Sequence, residues 1–249
     1  MLPPDWQLKT PLDAILFDCD GTLSSIEGID QLAESHAAGE AVKELTAAAM
    51  GKTGLTADIY QKRLDLILPT RQRMEHLGQH YCKNLTPDTQ AVIQLFQRLG
   101  KSVYIVSAGL VPAIAILAKQ LHIPHKNIYA VNMEFDIDGN FSGYDEDSPL
   151  VQNNGKKIVV KELLKIHPRI GYIGDGLNDV VVYDLVTRFI GYGGIYYRSN
   201  IEALCEYYIR TPSMAGILPF LLAKNEIDGL SSDEKLLYNK GLLSSITQM

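Results

Sequence analysis

Two aspartates two residues apart, Asp18 and Asp20, close the apolar run in AILFDCDGTL. Asp175 and Asp179 close a second such run in RIGYIGDGLND, and Ser107 with Gly109 closes a third, KSVYIVSAG. If the three runs are neighbouring strands, four carboxylates and a hydroxyl meet at one edge. Like charges in a cleft are costly unless a cation is present or one acid keeps its proton. Hard oxygen ligands with few imidazoles point to Mg²⁺, which retains several waters and is held by one or two carboxylates together with a phosphate. The chemistry to expect is therefore metal-assisted reaction at phosphorus by one acid, with its neighbour protonated.

The elements that would position these groups follow from the pattern of apolar residues. DAILFDCD is a short continuous apolar run, as in a strand buried on both faces. KSVYIVSAG and RIGYIGDGLND repeat it, and RFIGYGG and EYYIR read as two further strands. Helical stretches fall between them: TQAVIQLFQRL, PAIAILAKQL, KKIVVKELLK and NDVVVYDLV. Strands alternating with helices predict an α/β fold with a mostly parallel sheet. NMEFDIDGNFSGYD instead carries two alternating runs around Asp138-Gly139-Asn140, a hairpin signal. From about Glu27 to Thr86 the pattern is helical throughout, which predicts a small helical cap inserted after the first strand, over the carboxyl edge where such sheets bind ligands. The expected division is an α/β core of residues 1–25 and 87–223, a helical cap of 26–86 and a C-terminal extension of 224–249. From Pro219 on, PFLLAK reads as a core helix, NEIDGL as a linker and SSDEKLLYNKGLLSSI as an amphipathic helix that Ser232 could cap. The last helix packs either on its own core or on a second copy in a homodimer.

The chain of 249 residues is long enough for one large core or a core with a small partner domain. Its formal charge of −6 provides no general basic surface for nucleic acid. Cys19, Cys82 and Cys205 show no paired spacing, as suits a reducing compartment. MLPPDWQLKT lacks the basic start and apolar core of a signal peptide, and no apolar run is long enough to span a bilayer. The expectation is a cytoplasmic protein with no membrane association.

Taken together, the motifs resemble those of the haloacid dehalogenase superfamily. DCDGTL is similar to its first motif, VYIVSAG to its second, GDGLND to its fourth, and Lys156 in NNGKKIVV falls where the third-motif lysine is expected. EGIDQLA, AMGKTGLTADIYQKRLDLILPTRQ, LTPDTQ and GYDEDSP narrow the resemblance to the phosphoserine phosphatase family, over about residues 12–222. The resemblance implies a Rossmann-like parallel sheet core with a small inserted α-helical cap, and a phosphomonoester hydrolase working through an aspartyl-phosphate. It implies Asp18 as nucleophile and Asp20 as general acid and base. Mg²⁺ would be held by Asp18, the Asp20 carbonyl and Asp175, with Asp179 and Asn178 ordering its waters. Thr22, Ser107, Lys156, Asn178 and the backbone around Ala108 and Gly109 would bind the phosphoryl group. Glu27 would pair with the ammonium of phosphoserine and Arg63 with its carboxylate, with Met50 and Gly51 against the serine part.

Three positions depart from that family's pattern. Gly21 stands in place of Ser, Ala108 in place of Gly, and Thr56 in place of a Phe that closes over the substrate. They leave another small phosphomonoester or a phosphorylated protein as alternative substrates, and a phosphotransferase as an alternative activity. A signalling receiver domain shares an acceptor aspartate, a lysine and a Ser/Thr, but lacks an acid in the place of Asp20. His76 and His80, four apart with Cys82 nearby, could suggest zinc, but no third ligand is placed and exposed histidines on a cap helix are the expectation. GYGG at Gly191 reads as a turn beside the active site. Cys19, flanked by two aspartates, should be buried and unreactive.

Overall fold

The computed structural model describes residues 6–34, 39–50 and 55–246, with side chains to 46 in the second stretch and to 245 in the third. In chain order the elements are β1 (Ala14–Phe17), α1 (Gly28–Glu34), α2 (Gly39–Met50), α3 (Ala57–Ile67), α4 (Arg71–Lys83), α5 (Thr89–Arg98), β2 (Ser102–Leu110) and α6 (Val111–Gln120). There follow β3 (Ile128–Val131), β4 (Met133–Phe135), β5 (Phe141–Tyr144), α7 (Gly155–Leu164), β6 (Ile170–Gly174), α8 (Leu177–Val180) and β7 (Arg188–Tyr192). The chain ends with α9 (Ser199–Glu202), β8 (Tyr208–Ile209), α10 (Leu218–Leu221), α11 (Lys224–Asp228) and α12 (Ser232–Ile246).

Six strands form one parallel sheet in the order β3-β2-β1-β6-β7-β8. All four residues of β1 and all five of β6 are buried, which is why both read as continuous apolar runs rather than alternating ones. Burying side chains such as Leu16, Phe17 and Ile173 completely contributes about 1.5–3 kcal/mol each. Register then fixes the site. Phe17 lies level with Ile105 on one side and Ile173 on the other. The residues just beyond, Asp18, Ser107 and Asp175, therefore emerge from adjacent strands at one edge. The order reverses between β1 and β6, the crevice where open α/β sheets take ligands.

Helices α1–α4 lie between β1 and α5 in the chain. Their two connections to the sheet pair with each other. Ser24 bridges Leu85, Ser25 N–H donates to Asn84 O at 2.8 Å, and Thr86 N–H donates to Leu23 O at 3.0 Å. Helix α4 packs along α6 of the core. The close approach depends on Gly78, where a Cβ would lie 2.6 Å from Ile116 Cδ1 and 2.9 Å from Ala113 O. The hairpin β4–β5 forms around Gly139, whose φ of +83° needs glycine. Gly139 O accepts from Arg71 N–H at 2.9 Å, so the hairpin props the first turn of α4.

Three local expectations are corrected. NDVVVYDLV forms only the single turn α8: Asp179 accepts from Gly176 N–H at 3.0 Å and starts it, but three consecutive valines are weak helix formers and do not carry it on. NEIDGL is not a linker but contains α11, started by Glu226, whose carboxylate accepts from Ala223 N–H at 2.8 Å. The cap of α12 is Ser231 rather than Ser232: Ser231 N–H donates to Glu234 at 2.8 Å and Ser231 Oγ accepts from Glu234 N–H at 3.4 Å. Helix α12 packs on the chain's own core, against α10 and the 3-10 turn Met214–Ile217. Among the described residues no helix is long and apolar enough to cross a membrane.

The C-terminal segment is tied to the core by charges. Lys101 is buried and reaches Glu226 and Leu12 O, Arg98 forks onto Glu234, and Lys240 meets Asp88 at 2.7 Å. Replacing Lys101 by Met strands the Glu226 carboxylate, so urea unfolding should show a loss of about 3 kcal/mol. The double variant Lys101→Met/Glu226→Leu should recover more than half of it.

Candidate active site

Asp18 stands at the end of β1, 6% exposed. Its Oδ1 accepts from Cys19 N–H at 2.8 Å and lies 2.9 Å from Lys156 Nζ. Lys156, from the first turn of α7, is 2% exposed and reaches Asp179 Oδ1 at 2.6 Å with its other side. Asp179 is wholly buried and also accepts from Tyr172 Oη at 2.7 Å. Asp175, 3% exposed, takes the Arg198 guanidinium on its side chain and its carbonyl. Gly21 has φ +66°, and a Cβ there would lie 2.6 Å from Asp175 Oδ2. The departure at position 21 therefore makes room for this carboxylate.

Burial dominates the electrostatics. It pushes Asp18 well above the usual carboxylate range, helped by the charges of Asp179 and Asp175 and opposed by Lys156. Asp175 is pushed up to about 7 by burial against the pull of Arg198. Lys156 goes the other way: the two carboxylates outweigh burial and raise it. Asp18, Asp175 and Asp179 each offer an oxygen within 4.8 Å of the others. A buried, all-carboxylate cluster in which burial disfavours the charged forms fits a hard divalent cation.

Between this sheet edge and the cap lies a cavity of about 120 Å³. Of the residues read from the sequence, Asp18, Asp20, Glu27, Arg63, Ser107, Ala108, Gly109, Asp175 and Asn178 line it. Thr22, Lys156 and Asp179 are buried but outside the lining. The Thr22 hydroxyl finds no hydrogen-bond partner. Gly51 lies outside the described residues, as does the side chain of Met50, which ends α2. Ser107 Oγ accepts from Gly109 N–H at 2.9 Å, fixing the hydroxyl beside Asp20. Glu27 lies 3.5 Å from Arg198 and is pushed up to about 8, by burial first and then by the charges of Asp20 and Asp175. Arg63 is 8% exposed, its Nε has no hydrogen-bond partner, and among the described residues no carboxylate lies within ion-pair distance of it. A buried guanidinium in that condition suits an anionic ligand.

Several residues at the site carried no sequence motif. Tyr60, 4% exposed, lines the cavity, donates to Ala108 O at 3.0 Å and packs on Tyr144 with ring centroids 5.4 Å apart. Thr56 is not at the cavity; it caps α3, accepting from Ile59 N–H at 3.3 Å. The aromatic wall absent at 56 is thus supplied one turn later, and its hydroxyl uses the carbonyl of Ala108, another departing position. Asn153 joins cap to core, accepting from Leu55 N–H at 2.5 Å while its own N–H donates to Leu55 O at 3.0 Å. Arg198 and Tyr81 also line the cavity. Tyr81 lies between His80 and Cys82, at the end of the buried stripe Met74, Leu77, Gly78, Tyr81. That spacing marks it as inward-facing, and its hydroxyl is the polar tip of the stripe. His76 and His80 are exposed, and His80 Nδ1 faces Gln31 Oε1 at 3.1 Å.

Cys19 is fully buried, and burial with the charges of Asp20 and Asp18 raises its thiol far above the usual range. Alkylation of the folded protein followed by mass spectrometry should label Cys82 and Cys205, both partly exposed, well before Cys19.

The family model for haloacid dehalogenase-like hydrolases matches residues 15–182. The phosphoserine phosphatases of Bos taurus and Homo sapiens are each 33% identical over 199 residues, covering 79% of this chain and 88% of theirs. The crystal structure of a phosphoserine phosphohydrolase-like protein from Francisella tularensis superposes with a TM-score of 0.72 at 28% identity, over 80% of this chain and 95% of that one. The chain belongs to the haloacid dehalogenase-like hydrolases and, within them, to the phosphoserine phosphatase family.

Proposed function

We propose that the chain hydrolyses O-phospho-L-serine to L-serine and phosphate through an aspartyl-phosphate on Asp18. One observation carries the choice of substrate: a buried guanidinium without an acidic partner, Arg63, and a carboxylate, Glu27, line the same cavity as Asp18. A zwitterionic amino acid bearing a phosphate has the charges to meet all three. Arg63 would take the carboxylate in its planar fork and Glu27 the ammonium. The ammonium would offset the burial and the repulsion that together raise Glu27.

Asp18 would attack phosphorus. One of its oxygens is held by Lys156 and Cys19 N–H, which leaves the other for the new bond. As the ester bond breaks, Asp20 gives its proton to the serine oxygen. Burial favours this protonated state, raising Asp20 above the usual carboxylate range. The resulting Asp20 carboxylate then takes a proton from water, whose oxygen attacks phosphorus and releases phosphate, restoring Asp18. Lys156, Ser107 and the backbone N–H groups near it would stabilise charge on the phosphoryl oxygens. Asp18, Asp175 and the Asp20 carbonyl would hold Mg²⁺, with Asp179 steadying the arrangement through Lys156. The ion, when bound, would neutralise phosphoryl charge. Tyr60 and Asn153 close the cap over the cavity and limit access of bulk water.

Two measurements test this reading. The unaltered protein should prefer phosphoserine to phosphoethanolamine, which lacks the carboxylate. Arg63→Ala should lower kcat/KM for phosphoserine about 10–100-fold and barely change that for phosphoethanolamine. Equal losses on both would remove Arg63 as the carboxylate site. A chelator should abolish turnover and added Mg²⁺ restore it, whereas Asp18→Asn should stay inactive under either condition.

A further inference from the structure

Asp20 is anchored on the core, but the groups that hold its side chain come from the cap. Its Oδ1 accepts from Gly28 N–H, at the start of α1, at 2.7 Å. The same oxygen accepts from Tyr81 Oη, near the end of α4, also at 2.7 Å. Tyr81 is 1% exposed. Its phenol occupies space that Gly28 leaves open, since a Cβ at position 28 would fall 1.9 Å from Tyr81 Oη. Gly78 sets α4 against α6 one turn earlier, and Ser24 Oγ donates to Tyr81 O at 3.3 Å. The hydroxyl is thus delivered by packing on both sides.

An oxygen that accepts two donors has no room for a proton of its own. The proton of a neutral Asp20 must then sit on Oδ2. That oxygen faces Ser107 and Gly109: a Cβ at position 109 would lie 3.1 Å from Ser107 Oγ and 3.3 Å from Asp20 Oδ2. Both residues line the cavity.

We propose that Tyr81 is a positioning residue for the general acid, its hydroxyl together with Gly28 N–H occupying Asp20 Oδ1 so that Oδ2 carries the transferable proton toward the leaving group. This rests on the acid role given to Asp20, not on phosphoserine as the substrate. In the transfer the P–O ester bond breaks, its electron pair goes to the ester oxygen, and the Oδ2 proton follows. Tyr81 neither gains nor loses a proton.

A leaving-group comparison on the Mg²⁺-loaded enzyme tests it. Phosphoethanolamine leaves as an alkoxide that needs the proton; 4-nitrophenyl phosphate leaves as a stable anion that does not. The ratio kcat/KM reports the steps up to transfer onto Asp18, so hydrolysis of the intermediate does not obscure it. Tyr81→Phe should lower kcat/KM for phosphoethanolamine about 10–100-fold and for 4-nitrophenyl phosphate less than about 3-fold. Gly28→Ala, which crowds the hydroxyl off Oδ1, should give the same split and serves if Tyr81→Phe does not fold. Equal losses on both esters, or none, overturn the proposal. Asp20→Asn is the control. If it shows the split and Tyr81→Phe does not, only the positioning role falls; if Asp20→Asn shows no split, the acid role falls with it.

Discussion

The site depends on one buried ammonium. Lys156 Nζ lies 2.9 Å from Asp18 and 2.6 Å from Asp179, all three groups almost or wholly out of water. Strands β1 and β6 are buried along their whole length, and carboxylates placed at their ends are costly alone. Lys156 makes two of them tolerable and fixes their separation. Asp179 has no freedom left, held by Lys156, Tyr172 and Gly176 N–H. Asp18 keeps one oxygen clear. One cation thus separates an acid whose two oxygens are both held from one that keeps an oxygen clear, as the proposed nucleophile needs.

The cap answers a different need. A reactive carboxylate at a sheet edge selects nothing, so selection must come from above. Arg63 and Glu27 bring opposite charges over the edge, while Tyr60 and Asn153 tie the cap to the core by hydrogen bonds. Of the positions that depart from the family pattern, Thr56 caps a helix and Ala108 lends its carbonyl to the Tyr60 hydroxyl.

What the sequence made legible was whatever repeats or stands at a fixed local spacing. The strands β1 and β6 are readable because burial on both faces demands unbroken apolar runs, and their acids because they end those runs. Lys156 is readable only through the resemblance, as the lysine of NNGKKIVV that falls where the third motif is expected. Tyr60, Tyr81 and Arg198 were not, for one reason: their partners are 48, 61 and 23 residues away. No periodicity links such pairs, since tertiary packing alone brings them together. The short elements failed differently. NDVVVYDLV has the apolar content of a helix, but its three consecutive valines carry low helix propensity and only one turn forms. In NEIDGL a single side chain, Glu226, starts a helix where composition suggested a linker.

The glycine at position 78 divides the cap into a post and a door. Helix α4 cannot leave α6 without separating a contact in which backbone touches side chain, so it stands with the core although the chain counts it with the cap. Helices α1–α3 make the door, and Arg73 of α4 donates to Leu32 O near the end of α1, the hinge side. The far edge of that door is latched by Tyr60 to Ala108 and by the paired bonds between Leu55 and Asn153. On the near side Gly28 N–H holds Asp20 and Glu27 lies 3.5 Å from Arg198, so the door is tied to the core at both edges. Were the door to open, Tyr81 on the post would stay on Asp20 Oδ1 while Gly28 N–H would part from it, so the general acid is fully held only when the cap is closed.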